Sequence, residues 1–550
     1  MVPAEDGVGL ATDIVRPDGS GPFPVILIRT SYHRQQLIAD IGTGAVGRFL
    51  ERGYAVAAQD VRGKFDSDGT FRPLEDEARD GAAALDWIAN QKWCNGNIGL
   101  WGRSYLGIVQ VPAASSGHPA LKAIAPSIAP GSFFRDWARY DGCFALYNMI
   151  RWPLQHASCR TRAAIGHFRY EDTWKVRSVD DLESLTGIHA PFLRKVIAHD
   201  TDDAFWASVD QCRLHERIRV PGYHVGGWFD HITRGQFDAF RNISDRGATE
   251  TARKQQRLLI GPYSHMTLGG TASVQHRLGG WEFGDEAELD VLPLEIRMFD
   301  HYLRGIDNGF EREPNVKVFL LGENRWIELS DWPPREATSQ AWYLCPERKL
   351  APDDPTGEAS DECVFDPADP VVTCGGQVYW GHAEQLENCL GPVDQRTLLR
   401  RDDVFCFRSD PLARPLTVAG ESALDVSISS DVDDADLIAK LCVEEADGKM
   451  TCLALGQLRC RYRESFASPK PLSANAATPV HLRFYPIAYR FPVGSRIGLL
   501  VTWSDFPRIS LNAGTMDPPL SGIAPRKARN AIHYGQGSQS RLTLPVVAID

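Results

Sequence analysis

Apolar and polar positions recur along this chain with two different periods, and the places where the period changes divide it. Val8 to Pro17 alternates as a strand does, and Phe23 to Arg29 and Tyr54 to Gln59 are continuous apolar runs of buried-strand length. After a charged turn from Asp60 to Gly69, Ala78, Ala82, Leu85 and Ile88 recur at helical spacing and predict an amphipathic helix from about Asp76 to Gln91. An apolar run ending at Leu100-Trp101 is followed by a small-residue helix from Val109 to Ser116, and Leu121 to Pro126 resumes the strand pattern. Strands alternating with helices predict a mostly parallel sheet covered on both faces, an α/β fold.

That rhythm stops after Pro130. Residues 131–219 are rich in aromatics and charges at helical spacing with no clear strand, which predicts an all-helical insertion. Strand signals return at Val220 to Gly226 and Arg257 to Ile260, and a helix from about Glu288 to Arg304 is stopped by Gly305 and Gly309. Beyond Trp332-Pro333-Pro334 the runs are short and alternating: Ala341 to Leu344, Ala423 to Ser429, Ile438 to Glu444, Val480 to Tyr485 and Ile497 to Trp503. They predict an all-β sandwich or jelly roll. The expected organisation is an α/β domain in two parts (1–130 and 220–335), a helical cap (131–219) and a C-terminal β domain (336–550).

Composition narrows the function classes. At 550 residues the chain exceeds a single core, and 43% hydrophobic with 24% charged residues is ordinary for a globular protein. A net charge of −12 without a basic run disfavours nucleic acid and anionic membranes as partners. No apolar stretch approaches the ~20 residues that cross a bilayer. Met1 to Asp6 lacks the basic start and apolar segment of a signal peptide, so the expectation is a cytoplasmic protein, unless a further segment precedes it. Twelve cysteines without a Cys-x-x-Cys pair and fifteen histidines without a ligand spacing lead us to expect reduced thiols, no metal and no cofactor.

The candidate chemistry centres on Gly102-Arg103-Ser104-Tyr105-Leu106-Gly107, between a strand and a helix. A tight strand-to-helix turn of this kind pushes a serine hydroxyl above a sheet and needs small neighbours. The common pattern is Gly-x-Ser-x-Gly; here the second glycine comes one residue late. A plain Gly/Ser turn closing a strand produces the same string, so the case rests on partners elsewhere. A serine needs a base to take its proton and a carboxylate to orient that base. In α/β-hydrolases these follow in the order Ser, Asp, His from loops after later strands. Asp230 follows the Val220 to Gly226 strand and His265 the Arg257 to Ile260 strand, in that order. His231 is the rival base, disfavoured because side chains adjacent on one loop usually diverge. Oxyanion donors are expected from the Tyr105 amide and from Tyr32, in the loop Thr30-Ser31-Tyr32-His33.

These residues carry a resemblance. Arg29-Thr30-Ser31-Tyr32, Gln59-Asp60-Val61-Arg62-Gly63, Trp93-Cys94-Asn95-Gly96, the Ser104 turn, Gly227-Trp228-Phe229-Asp230 and Gly261-Pro262-Tyr263-Ser264-His265 are similar to the cocaine esterase and X-prolyl dipeptidyl-peptidase hydrolase family. Gly322 to Trp326, Trp332-Pro333-Pro334, Asp505 to Arg508 and Asn512 extend the likeness over nearly the whole chain. Gly-x-Ser-Tyr-x-Gly is that family's own elbow, which accounts for the late glycine. The resemblance implies Ser104 as nucleophile, Asp230 and His265 as its partners, Tyr32 and the Tyr105 amide as oxyanion donors, a helical cap and a C-terminal jelly roll. The family often has proline where this chain has Ser31.

Substrate choice depends on the cap. Members acting on α-amino substrates need carboxylates for an ammonium, and Asp136, Asp141, Asp202 and Asp203 are available, though acids on helices usually form a solvated face. The aromatic density suits an uncharged acyl group better, with Phe133, Trp137, Tyr140, Phe144, Trp152 and Trp228 as candidate pocket residues. The expectation is a carboxylic ester hydrolase acting on small molecules. An X-prolyl dipeptidyl-peptidase or amide acylase is the second reading, a catalytically inactive binding protein the third, and homo-oligomerisation stays open.

Overall fold

A computed structural model describes residues 1–39, 44–157, 170–268, 276–355, 357–379, 389–535, 538 and 540–549. Its centre is a nine-stranded sheet drawn from two stretches of chain: β1 (Thr12–Val15), β2 (Phe23–Thr30), β3 (Ala55–Asp60), β4 (Cys94–Arg103) and β5 (Leu121–Ser127), then β6 (Gly222–Gly227), β7 (Gln256–Gly261), β8 (Val316–Leu320) and β9 (Arg325–Leu329). They lie in the order β9-β8-β7-β6-β5-β4-β2-β3-β1. Strands β2 to β8 run parallel, and β1 and β9 are antiparallel edges. Because the parallel strands are covered on both faces, Val25 to Ile28 and Ala55 to Ala58 are all buried, which is why they read as unbroken apolar runs.

The helix α1 (Glu77–Ala89) forms, but its buried face is rotated from the expected one. Ala78 is exposed and Ala82 half-buried, whereas Glu77, Asp80, Gly81, Ala84, Leu85 and Ile88 are buried. Two acids can face the core because each meets a buried guanidinium: Glu77 Oε2 lies 2.9 Å from Arg29 Nη1, and Asp80 Oδ1 2.6 Å from Arg62 Nη2.

The described residues of 131–219 are largely helical and include α2 (Leu146–His156), but they also hold a two-residue antiparallel ladder of Arg139–Tyr140 with Cys143–Phe144. This ladder, missed by periodicity because it is so short, turns at Asp141-Gly142. Helices α3 (Arg234–Arg246) and α4 (Leu292–Arg304) follow β6 and precede β8; α4 ends at Gly305 in the left-handed region, φ 70°.

The C-terminal part is β-rich, with thirteen strands between Thr338 and Val546 in one sheet system. Pairing is antiparallel except between Lys349–Ala351 and Phe405–Ser409. Its core is continuous with the central sheet: Trp228, Phe237, Phe319 and Trp332 belong to the same apolar cluster as Leu424, Leu441 and Leu544. No helix among the described residues is long and apolar enough to cross a membrane.

Candidate active site

Ser104 ends β4 and opens the short helix Tyr105–Ile108, with φ 56° and ψ −125°, a conformation L-residues rarely adopt. Its surroundings enforce the turn. Ser104 N–H donates to Ser127 O at 3.0 Å, and Gly107 and Ile108 N–H both donate to Ser104 O at 2.8 Å. Gly102 has φ 145°, and a Cβ there would stand 2.4 Å from Leu106 Cβ; a Cβ on Gly107 would stand 2.6 Å from Ser127 O. The late glycine is thus where the backbone of β5 passes closest, and Leu106 fills the space above Gly102.

Strands β6 and β7 are paired with Gly227 opposite Gly261, and their ends stay joined: Trp228 N–H donates to Gly261 O and Phe229 N–H to Tyr263 O. This brings the two following loops together over the serine. His265 Nε2 lies 3.2 Å from Ser104 Oγ, and His265 Nδ1 lies 3.1 and 3.2 Å from the two Asp230 oxygens. A carboxylate can only accept, so Nδ1 carries the proton and Nε2 is left to accept from the serine hydroxyl. Arg103 Nη1 donates to Leu268 O at 2.7 Å, tying the serine turn to the His265 loop. Asp230 is fully buried. Burial works to raise its carboxyl, but the charge and hydrogen bond of His265 and the contact of His231 outweigh it and hold the group below the usual carboxylate range.

Tyr32 OH lies 3.4 Å from Ser104 Oγ. Two contacts fix its loop: Tyr32 N–H donates to Thr30 Oγ1 at 2.9 Å, and Ser31 Oγ lies 3.3 Å from His156 Nε2. Ser31 therefore holds the loop by a hydrogen bond. The Tyr105 N–H belongs to a first helical turn, whose amides lack intrahelical acceptors. The Tyr105 side chain is buried beneath it, its hydroxyl donating to Glu77 Oε1 at 2.7 Å. Burial, opposed by Arg29 and by this hydrogen bond, raises the Glu77 carboxyl.

The expected pocket residues separate. Trp152 Nε1 reaches Tyr32 OH at 3.5 Å, and its ring stacks on Tyr105 and His156, with centroids 5.7 and 4.2 Å apart. Trp137 meets Trp152 edge-on at 5.0 Å, and Phe133 backs Trp137. Tyr140 stands beside the acid loop, 6.3 Å from the His231 ring. Phe144 and Trp228, expected in the pocket, are fully buried in the core instead. Trp228 donates to Phe319 O at 2.7 Å and packs against Phe237 and Trp332. A cavity of about 520 Å³ is lined by Phe71, Trp152, His156, Pro191 and Phe192, with an ion pair of Lys195 and Glu75 at its wall. Phe71 follows the charged turn Asp60 to Gly69, in a stretch the sequence did not mark as part of a pocket.

Three of the four acids considered for an ammonium are engaged elsewhere: Asp141 pairs with Arg234, Asp136 accepts from Ser132 N–H, and Asp203 caps the helix Ala204–Val209. Asp202 Oδ1 lies 3.9 Å from Arg213, beyond hydrogen-bond range. His231 does not diverge from its neighbour: its Nδ1 stands 3.1 Å from Asp230 Oδ1, and its ring 4.9 Å from that of His265. The loop curls enough for Ile232 N–H to donate back to Asp230 Oδ1, which puts consecutive side chains on one side.

Comparison with known proteins agrees with this layout. Residues 6–267 match the X-Pro dipeptidyl-peptidase (S15 family) and residues 308–543 the X-Pro dipeptidyl-peptidase C-terminal non-catalytic domain. Cocaine esterase of Rhodococcus sp. (strain MB1 Bresler) is 31% identical, over 100% of this chain and 98% of that one. The chain belongs to the X-Pro dipeptidyl-peptidase and cocaine esterase family. As a member of that family it is a hydrolase. Among solved structures, an α-amino acid ester hydrolase superposes with TM-score 0.86 at 28% identity, covering all of this chain and 96% of the other. An aminopeptidase of a marine sediment Thaumarchaeota archaeon superposes with TM-score 0.85 at 25% identity and the same coverage.

Proposed function

We propose that this member of the family is a serine carboxylic ester hydrolase with Ser104, His265 and Asp230 as its triad. The observation that carries the reading is the unbroken chain of contacts from Asp230 through His265 to Ser104 Oγ at 3.1 to 3.2 Å, with Tyr32 OH 3.4 Å from the same oxygen. On this reading Ser104 Oγ attacks the ester carbonyl carbon as its proton passes to His265 Nε2, and buried Asp230 stabilises the imidazolium. The oxyanion receives hydrogen bonds from Tyr32 OH and the Tyr105 N–H. Collapse expels the alcohol, which takes the proton from His265. Water, deprotonated by the same nitrogen, then releases the acid from acyl-Ser104. The architecture fits an α/β-hydrolase domain with a helical cap at residues 131–219 and a C-terminal jelly roll at residues 336–550.

The aromatic cavity behind Trp152 and the engagement of Asp136, Asp141 and Asp203 with other partners favour an uncharged acyl group over an α-ammonium substrate. The reaction needs no metal or cofactor on this reading, and the partner is a small-molecule ester. Turnover of p-nitrophenyl acyl esters compared with X-Pro-p-nitroanilide tests it. Ester cleavage is expected to dominate; faster anilide cleavage overturns the choice in favour of a peptidase.

A further inference from the structure

The mechanism leaves one buried ionisable group beside the triad without a task. His231 is 2% exposed, and its Nδ1 lies 3.1 Å from Asp230 Oδ1, on the carboxylate that also meets His265 Nδ1. Asp230 thus stands between two imidazoles whose ring centres are 4.9 Å apart. Ser104 Oγ is reached by His265, so His231 is not a second base.

The His231 ring is held from three sides. Tyr379, from the C-terminal part, packs on it at 4.8 Å and on His265 at 5.3 Å. Tyr485 OH, from the same part, donates to the His231 carbonyl at 2.7 Å. Tyr140 meets it edge-on at 6.3 Å, and Arg508, stacked over Tyr140 at 4.9 Å and paired with Asp505 at 2.9 Å, is a cation whose charge bears on it. The remaining charged or titratable groups facing it are Asp230 and His265. Burial is the main influence on the imidazole and, against the pull of Asp230, brings it down to about 4. It is therefore neutral at working pH and stands against the carboxylate without adding a charge beside His265.

Building on the proposed triad, we infer that His231 is a positioning residue: its Nδ1, 3.1 Å from Asp230 Oδ1 but out of line for a full hydrogen bond, stands against the carboxylate that meets His265 through both oxygens, steadying it and moderating its pull on the His265 proton. Through Tyr379 and Tyr485, the C-terminal part thereby sets the geometry and basicity of the proposed base. Removing the imidazole would leave Asp230 held by Ile232 N–H and His265 alone and more basic, so imidazolium at His265 would be stabilised and the acid limb of the activity profile would move up.

The test compares His231→Phe and His231→Asn, whose amide can stand in for Nδ1, in p-nitrophenyl ester hydrolysis from pH 5 to 9. His231→Phe is expected to lower kcat by about 10-fold with KM within about 2-fold, because misplacement of a catalytic group falls on kcat. Its acid limb is expected to rise by roughly half a pH unit, and His231→Asn to keep the parental limb. The limb position does not depend on how much enzyme is folded. Tyr485→Phe, which keeps the imidazole and frees only its carbonyl, is expected to move the limb in the same direction by less. An unmoved limb in His231→Phe, a change confined to KM, or His231→Asn behaving like His231→Phe overturns the proposal. Ser104→Ala separates the two claims: surviving turnover there overturns the triad itself, whereas loss of turnover with an unmoved His231→Phe profile overturns only the role of His231.

Discussion

Ser104 has an uncommon backbone conformation because three neighbours leave it no other, and its hydroxyl meets Tyr32 and His265 within 3.4 Å. Removing one donor of a two-donor oxyanion site typically lowers kcat by about 10²-fold. Tyr32→Phe is therefore expected to lose about that factor in steady-state kinetics with KM little changed, and an unaffected kcat would remove Tyr32 from the account. At this scale the sequence was informative wherever chain order carries meaning. Ser104, Asp230 and His265 stand at the carboxyl ends of strands, and the structure brings them together. It was uninformative where the answer depends on a loop's path: the convergence of His231 on Asp230 and the inward turn of Trp228 both follow from how residues 228–232 curl. Phe71 was missed for the same reason.

Many elements were legible because buried parallel strands and amphipathic helices impose periods of their own; β8, β9, α3 and the short Arg139–Phe144 ladder were not read. In α1 the element was read but not its buried face, which includes Glu77 and Asp80. Charges were read as solvent-facing, and their partners Arg29 and Arg62 lie 48 and 18 residues away, beyond any local pattern. The spacing of the elbow is also an element-scale property: Gly107 is required by the approach of β5, not by the serine. Gly107→Ala would force its Cβ within 2.6 Å of Ser127 O. Overpacking of that kind costs ~1–3 kcal/mol, so a urea melt should show a loss of that size together with reduced kcat. A fully stable, fully active variant would contradict the packing argument.

Across the whole molecule, the core shared by β8, Trp228, Trp332 and the C-terminal strands makes the β-rich part a wall of the candidate site as well as a neighbour. Reading the chain in order revealed the two parts but not the contacts of Tyr379, Tyr485 and Gln377 with residues 228–231, which join positions more than a hundred residues apart. Burial also shapes acid stability. It pushes His215 down to about 3 and His224 and His231 to about 4, so between pH ~4 and ~6.5 the unfolded chain binds more protons and each histidine withdraws stability as pH falls. Asp210, pushed up by burial to about 6, and Asp238, pushed up by burial and the nearby Asp136, act in the opposite sense over that interval. Substituting one histidine isolates its share. In His224→Phe the stability lost between pH 7 and pH 5 should be smaller than in the parent by on the order of 1–2 kcal/mol. Urea melts at the two pH values check this, and an unchanged difference would contradict it.

The central claim is that Ser104 is the nucleophile of a serine ester hydrolase. A fluorophosphonate reacts with a serine only when a base and an oxyanion site activate it. The account predicts one adduct per chain, mapped by peptide mass spectrometry to Ser104, formed in step with loss of ester hydrolysis and absent in Ser104→Ala. No adduct on folded, active protein, or an adduct on another residue that tracks the loss of activity, would contradict it.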